Sequence, residues 1–293
     1  TLLASSAASD VYKRQIKMGR TIKLILYYFA YQFAVAIPGM FGYTIWKCFE
    51  TQSFDLHNAP TSLAIILSLL GTLLMAWHLI HYKYVKLDKQ TLASLPLKPT
   101  CLYILMGAAA IIWMNWLSEM VHLPNIAENV FAQMKNNVFG ILSVCIIAPI
   151  FEEIFFRGAI EGYLLRKWEN PRWAILVSAL IFGLIHMNPA QILFAFLFGI
   201  ILGELYYRTG SLLPSIILHF INNTLSLILM NVFEEKDTLT DILGNTTAVH
   251  VWGMTGIAIF CLTFLLFKKE VKPVQWAVEA TEPVPAEETN PQN

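Results

Sequence analysis

The 293-residue chain is strongly apolar and carries no net charge. Hydrophobic residues make up 56% of the sequence and charged residues only 14%, whereas an ordinary soluble domain has about 25% charged residues. A net charge of zero offers no basic surface, so we expect no nucleic-acid partner. The four cysteines are isolated along the chain, which disfavours a disulfide framework and a cysteine-based metal cluster.

The two ends of the sequence differ in character from the apolar middle. Residues 1–17 lack the apolar core and cleavage site of a signal peptide, and residues 7–15 resemble translated sequencing-adapter text. We therefore interpret residues 1–17 as a non-native leader. An integral membrane domain is predicted over residues 18–270. Residues 271–293, rich in Pro and Glu, are predicted to form a disordered cytoplasmic tail.

Between these ends, the apolar residues gather into eight blocks of about the length that crosses a ~30 Å hydrocarbon core as a helix. The alternating pattern of a membrane barrel is absent, so helices are the expected spanning form. Polar residues interrupt the fourth block, and the fifth is short. The blocks lie at residues 21–46, 61–80, 100–121, 138–165, 173–187, 191–207, 212–232 and 250–267. The predicted fold is an all-α polytopic membrane protein, a bundle of about eight transmembrane helices.

The distribution of Lys and Arg predicts the orientation of these helices. With the N-terminus inside, the inner segments hold sixteen of the twenty Lys and Arg residues, the outer segments hold three, and Arg157 lies within the membrane. Cytoplasmic segments carry such an excess. We therefore expect both termini to be cytoplasmic and the lipid bilayer to be a partner of the protein.

The fourth block contains charged residues where a membrane-spanning helix should be apolar. Glu152, Glu153 and Arg157 follow residues 138–151, a run without any charge. A charged side chain at the centre of a bilayer costs about 2.5–3.5 kcal/mol on insertion scales. Glu153 and Arg157 are four residues apart and can therefore form an ion pair within one helix. Three such residues this close together predict partners inside the bundle and a functional site.

Two later blocks each supply a polar pair with the same spacing. Phe182 and His186 are four residues apart, as are His219 and Asn223. At a rise of about 1.5 Å per residue, His186 lies roughly 21 Å and His219 about 13 Å from the predicted inner boundary. Glu152 lies roughly 22 Å from it. These depths lie within the hydrocarbon, so we expect the polar residues to converge on one chamber.

This set of side chains suits the hydrolysis of an amide by an activated water molecule. A carboxylate beside a histidine in a partly dry cavity can act as a general base. A second histidine and an amide can donate hydrogen bonds to the developing oxyanion. The same atoms would also allow a zinc centre made of Glu152, His186 and His219. Because the H-E-x-x-H arrangement is absent, we favour the version without a metal cofactor.

Other polar and small residues have simpler interpretations. The motif Gly199-x-x-x-Gly203 is interpreted as an element of close helix packing and is assigned no chemistry. Glu161 and Glu204 lie near Arg and Lys residues of the predicted inner side. We therefore expect both of these carboxylates to be interfacial.

Taken in order, the three motifs resemble those of the CPBP family, the CAAX protease and bacteriocin-processing (Abi) group, which is related to the type II CAAX prenyl endopeptidases. The resemblance covers about residues 138–232. It implies an eight-helix intramembrane glutamic endopeptidase, in a prokaryotic membrane, that acts on a CAAX-like prenylated protein or a bacteriocin-type peptide. The motifs are Glu152-Glu153-x-x-x-Arg157, Phe182-x-x-x-His186 and His219-x-x-x-Asn223.

The resemblance also implies a role for each motif residue. Glu152 would activate the hydrolytic water with the assistance of His186. His219 and Asn223 would stabilise the oxyanion. The residues expected to support this catalytic set are Glu153, Arg157 and Phe182.

Two further classes of function remain open at this point. A non-catalytic protein for bacteriocin self-immunity, or a scaffold, would bind a peptide or a partner helix in the same cavity. A proton-coupled transporter would use intramembrane Glu and His as a relay. The inverted repeats of many transporters are not evident in the sequence, so we favour the peptidase.

Overall fold

The computed structural model describes residues 2–52, 59–233 and 238–276, with side chains described from Met18 onward. Every regular element in these ranges is helical, and seven helices are long and apolar enough to cross a membrane. The prediction of an all-α polytopic membrane protein is therefore confirmed. In chain order the helices are α1 (Leu2–Thr51), α2 (Thr61–His81), α3 (Leu97–Val121), α4 (Glu128–Lys135), α5 (Val138–Lys167), α6 (Pro171–Leu184), α7 (Pro189–Thr209), α8 (Leu213–Val232), α9 (Leu239–Leu243) and α10 (Thr246–Glu270).

Helix α6 accounts for the difference between the seven long helices and the eight predicted blocks. It has 14 residues, about 21 Å at the usual rise, which is shorter than the ~30 Å hydrocarbon core. The Asn170 side chain accepts a hydrogen bond from the backbone of Arg172 and caps its first turn. The helix ends before Met187, which has a positive φ, and before Pro189, which starts α7.

Helix α5 is not a uniform α-helix. Two π-helical segments, Ser143–Ile147 and Glu153–Glu161, flank the α-helical segment Ala148–Glu152. Pro149 supplies no backbone N–H, which interrupts the regular hydrogen-bond ladder between the two segments. Single π turns inside α-helices are frequent at functional sites. All residues of the second π segment are buried, so protein rather than lipid surrounds this part of α5.

The helices form two packed groups that meet around α7. One hydrophobic cluster combines residues of α5 with Leu24 of α1 and with Met75 and Leu79 of α2. The other combines Tyr103 of α3 with residues of α7, α8 and α10, among them Leu218. The closest helix pairs are α3 with α10, α6 with α7, and α1 with α2. This arrangement places the second π segment of α5 between α2, α6 and α7.

The segment after α10 folds back onto the end of α7. Arg208 donates a hydrogen bond to the carbonyl of Val271 at 2.7 Å, and its own carbonyl accepts one from Val274 N at 3.2 Å. Trp276 Nε1 donates to the carbonyl of Tyr207 at 2.9 Å. Residues 271–276, part of the predicted disordered tail, are thus packed in the structure. Residues 277–293 of that tail lie outside the described residues.

Candidate active site

His219 of α8 lies between the two adjacent carboxylates of α5. Its Nδ1 atom is 2.9 Å from Glu153 Oε1, and its Nε2 atom is 3.6 Å from Glu152 Oε2. The first distance is that of a hydrogen bond, while the second is too long for one. Because a carboxylate only accepts hydrogen bonds, Nδ1 donates and Nε2 faces Glu152. The structure therefore brings the first and third sequence motifs into contact.

Arg157 holds Glu153 from the other side. Its Nη1 atom is 3.1 Å from Glu153 Oε1, and its Nη2 atom donates to the carbonyl of Gly199 in α7 at 3.1 Å. Both side chains of the pair have an exposed fraction of 0%. The ion pair predicted from the spacing is thus present, and it is fully enclosed by protein. One carboxylate oxygen of Glu153 receives hydrogen bonds from two different helices.

The two adjacent glutamates differ in their access to the surroundings. The side chain of Glu152 is 24% exposed, whereas that of Glu153 is 0% exposed. Successive residues on a helix point in different directions, so one carboxylate can be enclosed while the next reaches an open space. A water molecule or a substrate can therefore approach Glu152, and Glu153 is restricted to holding its neighbours.

The ring of Phe182 in α6 contacts both histidines and Arg157. It is buried and lies 5.1 Å from the ring of His186 and 5.7 Å from that of His219, both in edge contacts. The guanidinium carbon of Arg157 lies 4.5 Å from the centre of the same ring, the geometry of a cation–π interaction. Phe182 therefore separates the two histidines and covers the buried ion pair.

His186 does not lie on a helix face, as the spacing predicted, but in the turn after α6. Its backbone N–H bonds to the carbonyl of Gly183 at 3.2 Å, which leaves the carbonyl of Phe182 without a helical partner. The His186 Nδ1 atom lies 2.8 Å from that carbonyl and donates to it. Because Nδ1 carries the proton, Nε2 of the neutral ring is left with its lone pair.

Asn223 lies one turn beyond His219 on α8 and contacts a different part of α5. Its Nδ2 atom donates to the carbonyl of Val144, in the first π segment, at 2.9 Å. Its Oδ1 atom accepts from Asn222 at 3.1 Å. The hydrogen bonds of Asn223 thus do not reach the two glutamates. An amide group carries two N–H bonds, so one donor remains for another acceptor.

The alternative zinc centre was predicted from Glu152, His186 and His219. Within the three described ranges, no three His, Cys, Asp or Glu side chains are grouped as metal ligands. Glu152 faces His219, whereas the ring of Phe182 lies between His186 and His219. The arrangement of these three residues therefore does not fit a zinc ion.

Two features of the site were missed or misjudged from the sequence. The ring of Tyr28 in α1 packs on Phe151 and Phe155 at 5.8 and 5.7 Å and so covers the residues beside Glu152. Only the density of aromatic residues at 27–29 could have indicated this contact. Glu161, which was expected to be interfacial, has an exposed fraction of 0%, and the sequence did not indicate that protein encloses it.

Comparison with known proteins identifies the segment that contains these motifs. Residues 134–225 match the family described as Type II CAAX prenyl endopeptidase Rce1-like, and the match includes all the predicted site residues. The chain is therefore similar to that family over about a third of its length. The resemblance to the CPBP group that the three motifs suggested is confirmed.

The curated relatives that the chain matches are bacterial proteins. The chain is 33% identical over 103 residues to "Putative membrane peptidase YdiL" of Bacillus subtilis, covering 33% of this chain and 42% of that protein. It is 34% identical over 106 residues to "UPF0177 protein in abiGi 5'region" of Lactococcus lactis subsp. cremoris, covering 35% and 44%. The match to "UPF0177 protein YaiH" of L. lactis subsp. lactis is similar, with 34% identity over 106 residues.

These alignments span less than half of the length of the curated relatives. No solved structure matches the chain significantly. Together with the seven apolar helices, the relatives nevertheless show that the chain is an integral membrane protein.

Proposed function

We propose that this protein is an intramembrane endopeptidase that hydrolyses a peptide bond in a membrane-associated peptide or protein. The observation that carries this proposal is His219, held by a buried ion pair and facing the accessible carboxylate of Glu152. The family of the motif segment supports the same class of reaction. A purely structural ion pair would not need a neighbouring carboxylate that remains open.

In the proposed mechanism Glu152 acts as the general base. It takes a proton from a water molecule while the oxygen of that water attacks the peptide carbonyl carbon. The electron pair of the carbonyl moves to its oxygen and forms a tetrahedral oxyanion. Glu152 then gives the proton to the leaving nitrogen as the C–N bond breaks, so that an acid and an amine leave the site. His186 would assist by accepting a hydrogen bond from the attacking water at the lone pair of Nε2.

The oxyanion would be stabilised by His219 and Asn223. His219 Nδ1 already donates to Glu153, so a hydrogen bond from Nε2 requires a proton on both ring nitrogens. Asn223 would contribute the N–H that Val144 leaves unused. Donors fixed before the reaction stabilise the developing charge without reorganisation.

The substrate class is taken from the family rather than from the geometry. The family description names a CAAX prenyl endopeptidase, and we propose a prenylated CAAX-like protein, or a bacteriocin-type peptide, as the substrate. The site lies within the apolar bundle between α5, α6 and α8. A substrate with a lipid anchor or an apolar segment would be concentrated in the bilayer beside it.

Purified protein in lipid nanodiscs tests the proposal. The probes are an internally quenched farnesylated CAAX peptide, the same peptide without the lipid, and a double-glycine leader peptide. We expect wild-type protein to cleave at least one of them and Glu152→Ala to abolish cleavage without a loss of thermal stability. Glu270→Gln, at an exposed carboxylate that pairs with Lys98, is the matched control. Full activity of Glu152→Ala would refute the assignment.

A further inference from the structure

The second π segment contains a third acidic residue that the proposed mechanism does not use. Glu161 is fully buried, and neither of its carboxylate oxygens has a hydrogen-bond partner in the described protein. A buried carboxyl group without a hydrogen-bond partner is costly, because it has lost its contacts with water. Buried polar groups in native proteins are satisfied by protein or by ordered water, so this carboxyl group needs a partner.

Unsatisfied atoms also occur on the residues that precede Glu161 on the same face of α5. The buried atoms Arg157 Nε and Glu153 Oε2 lack a hydrogen-bond partner in the described protein. The three residues are spaced by four in a π segment. Residues four apart lie one turn apart on the same face of a helix. The unsatisfied donor and acceptors therefore share one face of α5, which leads toward the candidate active site.

The neighbouring face of α7 consists of the two glycines that were assigned only to helix packing. Arg157 donates to the carbonyl of Gly199. A Cβ atom at Gly203 would lie 2.7 Å from Glu161 Oε2, too close for a real contact. The absence of a side chain at Gly203 thus lets the carboxyl group of Glu161 approach the backbone of α7 closely. The glycine motif and the unsatisfied polar atoms face each other across the same helix pair.

We propose that Glu161, Arg157 and the glycine edge of α7 form a buried water-binding site, and that Glu161 is a positioning residue for the catalytic carboxylates. A buried water molecule makes about three hydrogen bonds to otherwise unsatisfied polar groups. Here Arg157 Nε is the donor, and the carboxylate oxygens of Glu161 and Glu153 are the acceptors. The water links Glu161 to the side of Arg157 that Glu153 does not hold.

A series of contacts connects Arg157 to the catalytic carboxylate of Glu152. Arg157 orients Glu153, Glu153 orients His219, and His219 faces Glu152. A guanidinium group held on both sides cannot rotate away from Glu153.

The other charged groups that act on Glu161 are Arg157 and Glu153 on α5 and Glu204 on α7. Tyr206 of α7 lies next to it. The hydroxyl group of Ser178 faces it from α6 but donates its one proton to the carbonyl of Phe156 at 3.1 Å, so it does not donate to Glu161.

Hydroxyl-radical footprinting in nanodiscs tests the water site without any need for catalysis. Radicals formed from bound water label aromatic side chains beside it, even when these are buried. Tyr206 is 3% exposed and lies next to the proposed site, while Tyr103 of α3 is 2% exposed and lies in an apolar cluster. We expect Tyr206 to be labelled clearly more than Tyr103. Equal labelling of the two tyrosines in the wild-type protein would overturn the proposal.

Variants test the roles of the carboxyl group and of the glycine beside it. Glu161→Leu and Gly203→Ala are expected to reduce the labelling of Tyr206 to that of Tyr103, and Glu161→Gln to retain it. Gly42→Ala, where a Cβ meets nothing within 4 Å, is the control and should change nothing. Labelling of Tyr206 that persists in both Glu161→Leu and Gly203→Ala would contradict the water site.

The positioning role rests on the proposed function and is measured separately by cleavage kinetics. We expect Glu161→Leu to lower kcat roughly tenfold with an unchanged KM, the scale seen when an outer hydrogen-bond partner of a reactive group is removed. Glu161→Gln should restore most of kcat. An unchanged kcat in a folded Glu161→Leu protein would overturn the positioning role. A wild-type protein that cleaves no probe but shows the expected labelling would refute the endopeptidase and leave the water site established.

Discussion

Helices α5 and α10 are both long enough to span the membrane, but α5 buries charged side chains whereas α10 exposes apolar ones. Helix α5 encloses a complete ion pair, and all residues of its second π segment are buried. Helix α10 presents large apolar side chains such as Val251, Leu262 and Leu265 to its surroundings and packs mainly on α3. Charges are tolerated in a membrane-spanning helix where neighbouring helices, rather than lipid, satisfy them.

Removal of Arg157 should give the largest loss of stability. Arg157→Leu leaves the carboxylate of Glu153 buried and uncompensated, which costs about 3–5 kcal/mol for a buried pair. Chemical unfolding in detergent measures the loss, with Lys268→Leu at the end of α10 as the control. The double variant Glu153→Leu with Arg157→Leu should be more stable than the single one, because neither charge remains. A single variant as stable as wild type would contradict the enclosed ion pair.

Replacement of His219 should affect activity far more than stability. We expect His219→Gln to lower kcat about 100-fold or more, the scale of a lost oxyanion donor, because no imidazole then faces Glu152. His250 of α10 is the matched control, since its ring also hydrogen-bonds to another helix, here as the acceptor from Trp116 Nε1 at 3.2 Å. His250→Gln should keep its activity. Equal kcat values for the two variants would remove His219 from the mechanism.

Removal of metal ions distinguishes the metal-free mechanism from the zinc-dependent one, both of which the sequence allowed. The arrangement of Glu152, His186 and His219 does not fit a zinc ion, so we expect dialysis against a strong chelator to leave the cleavage rate unchanged. Elemental analysis of the same sample should find no stoichiometric zinc. A rate that falls on chelation and returns with added zinc would support the metal-dependent version instead.

The sequence predicted the composition of the site better than its geometry. The spacing of Glu153 and Arg157 was sufficient to predict their ion pair, because that contact lies within one helix. The contact of His219 with both glutamates depends on how α8 packs on α5, and periodicity cannot supply it. The burial of Glu161 was missed for the same reason. The Arg and Lys residues near Glu161 in the sequence indicated the membrane interface, whereas its exposure depends on the helices that pack around α5.

The π segments could not be predicted either. Gly158 is the one glycine of the second π segment, and the segment contains no proline. A single glycine does not signal a change of winding. The wider turn is a property of the packed helix and of the break at Pro149. Glu153, Arg157 and Glu161 all lie in this segment, so the least predictable feature of the fold holds the buried charges.

Replacement of Phe182 should have a smaller effect on stability than loss of the buried ion pair. Its ring touches both histidines and covers Arg157. Phe182→Leu should therefore cost about 0.5–1.5 kcal/mol in aromatic contacts and should also reduce kcat. Phe260 of α10 packs on Trp113 at 5.8 Å, far from any motif. Phe260→Leu should lose similar stability with an unchanged kcat, and a parallel loss of kcat would contradict a specific role for Phe182.

The smallest effect is expected at an exposed carboxylate, where solvent weakens the interactions that dominate inside α5. Asp88 lies in the loop after α2, and its pKa is lowered by hydrogen bonds from the backbone and the hydroxyl group of Thr91. A lowered pKa in the folded state means that this contribution to stability is present above the usual pKa of Asp and is lost as the pH falls through the folded value. Carbon chemical shifts of the Asp88 carboxyl group during an acid titration measure that pKa directly. Thr91→Ala should return it toward the ordinary range without a measurable change in cleavage, because the loop contacts Leu212 and Ser211 rather than the glutamates.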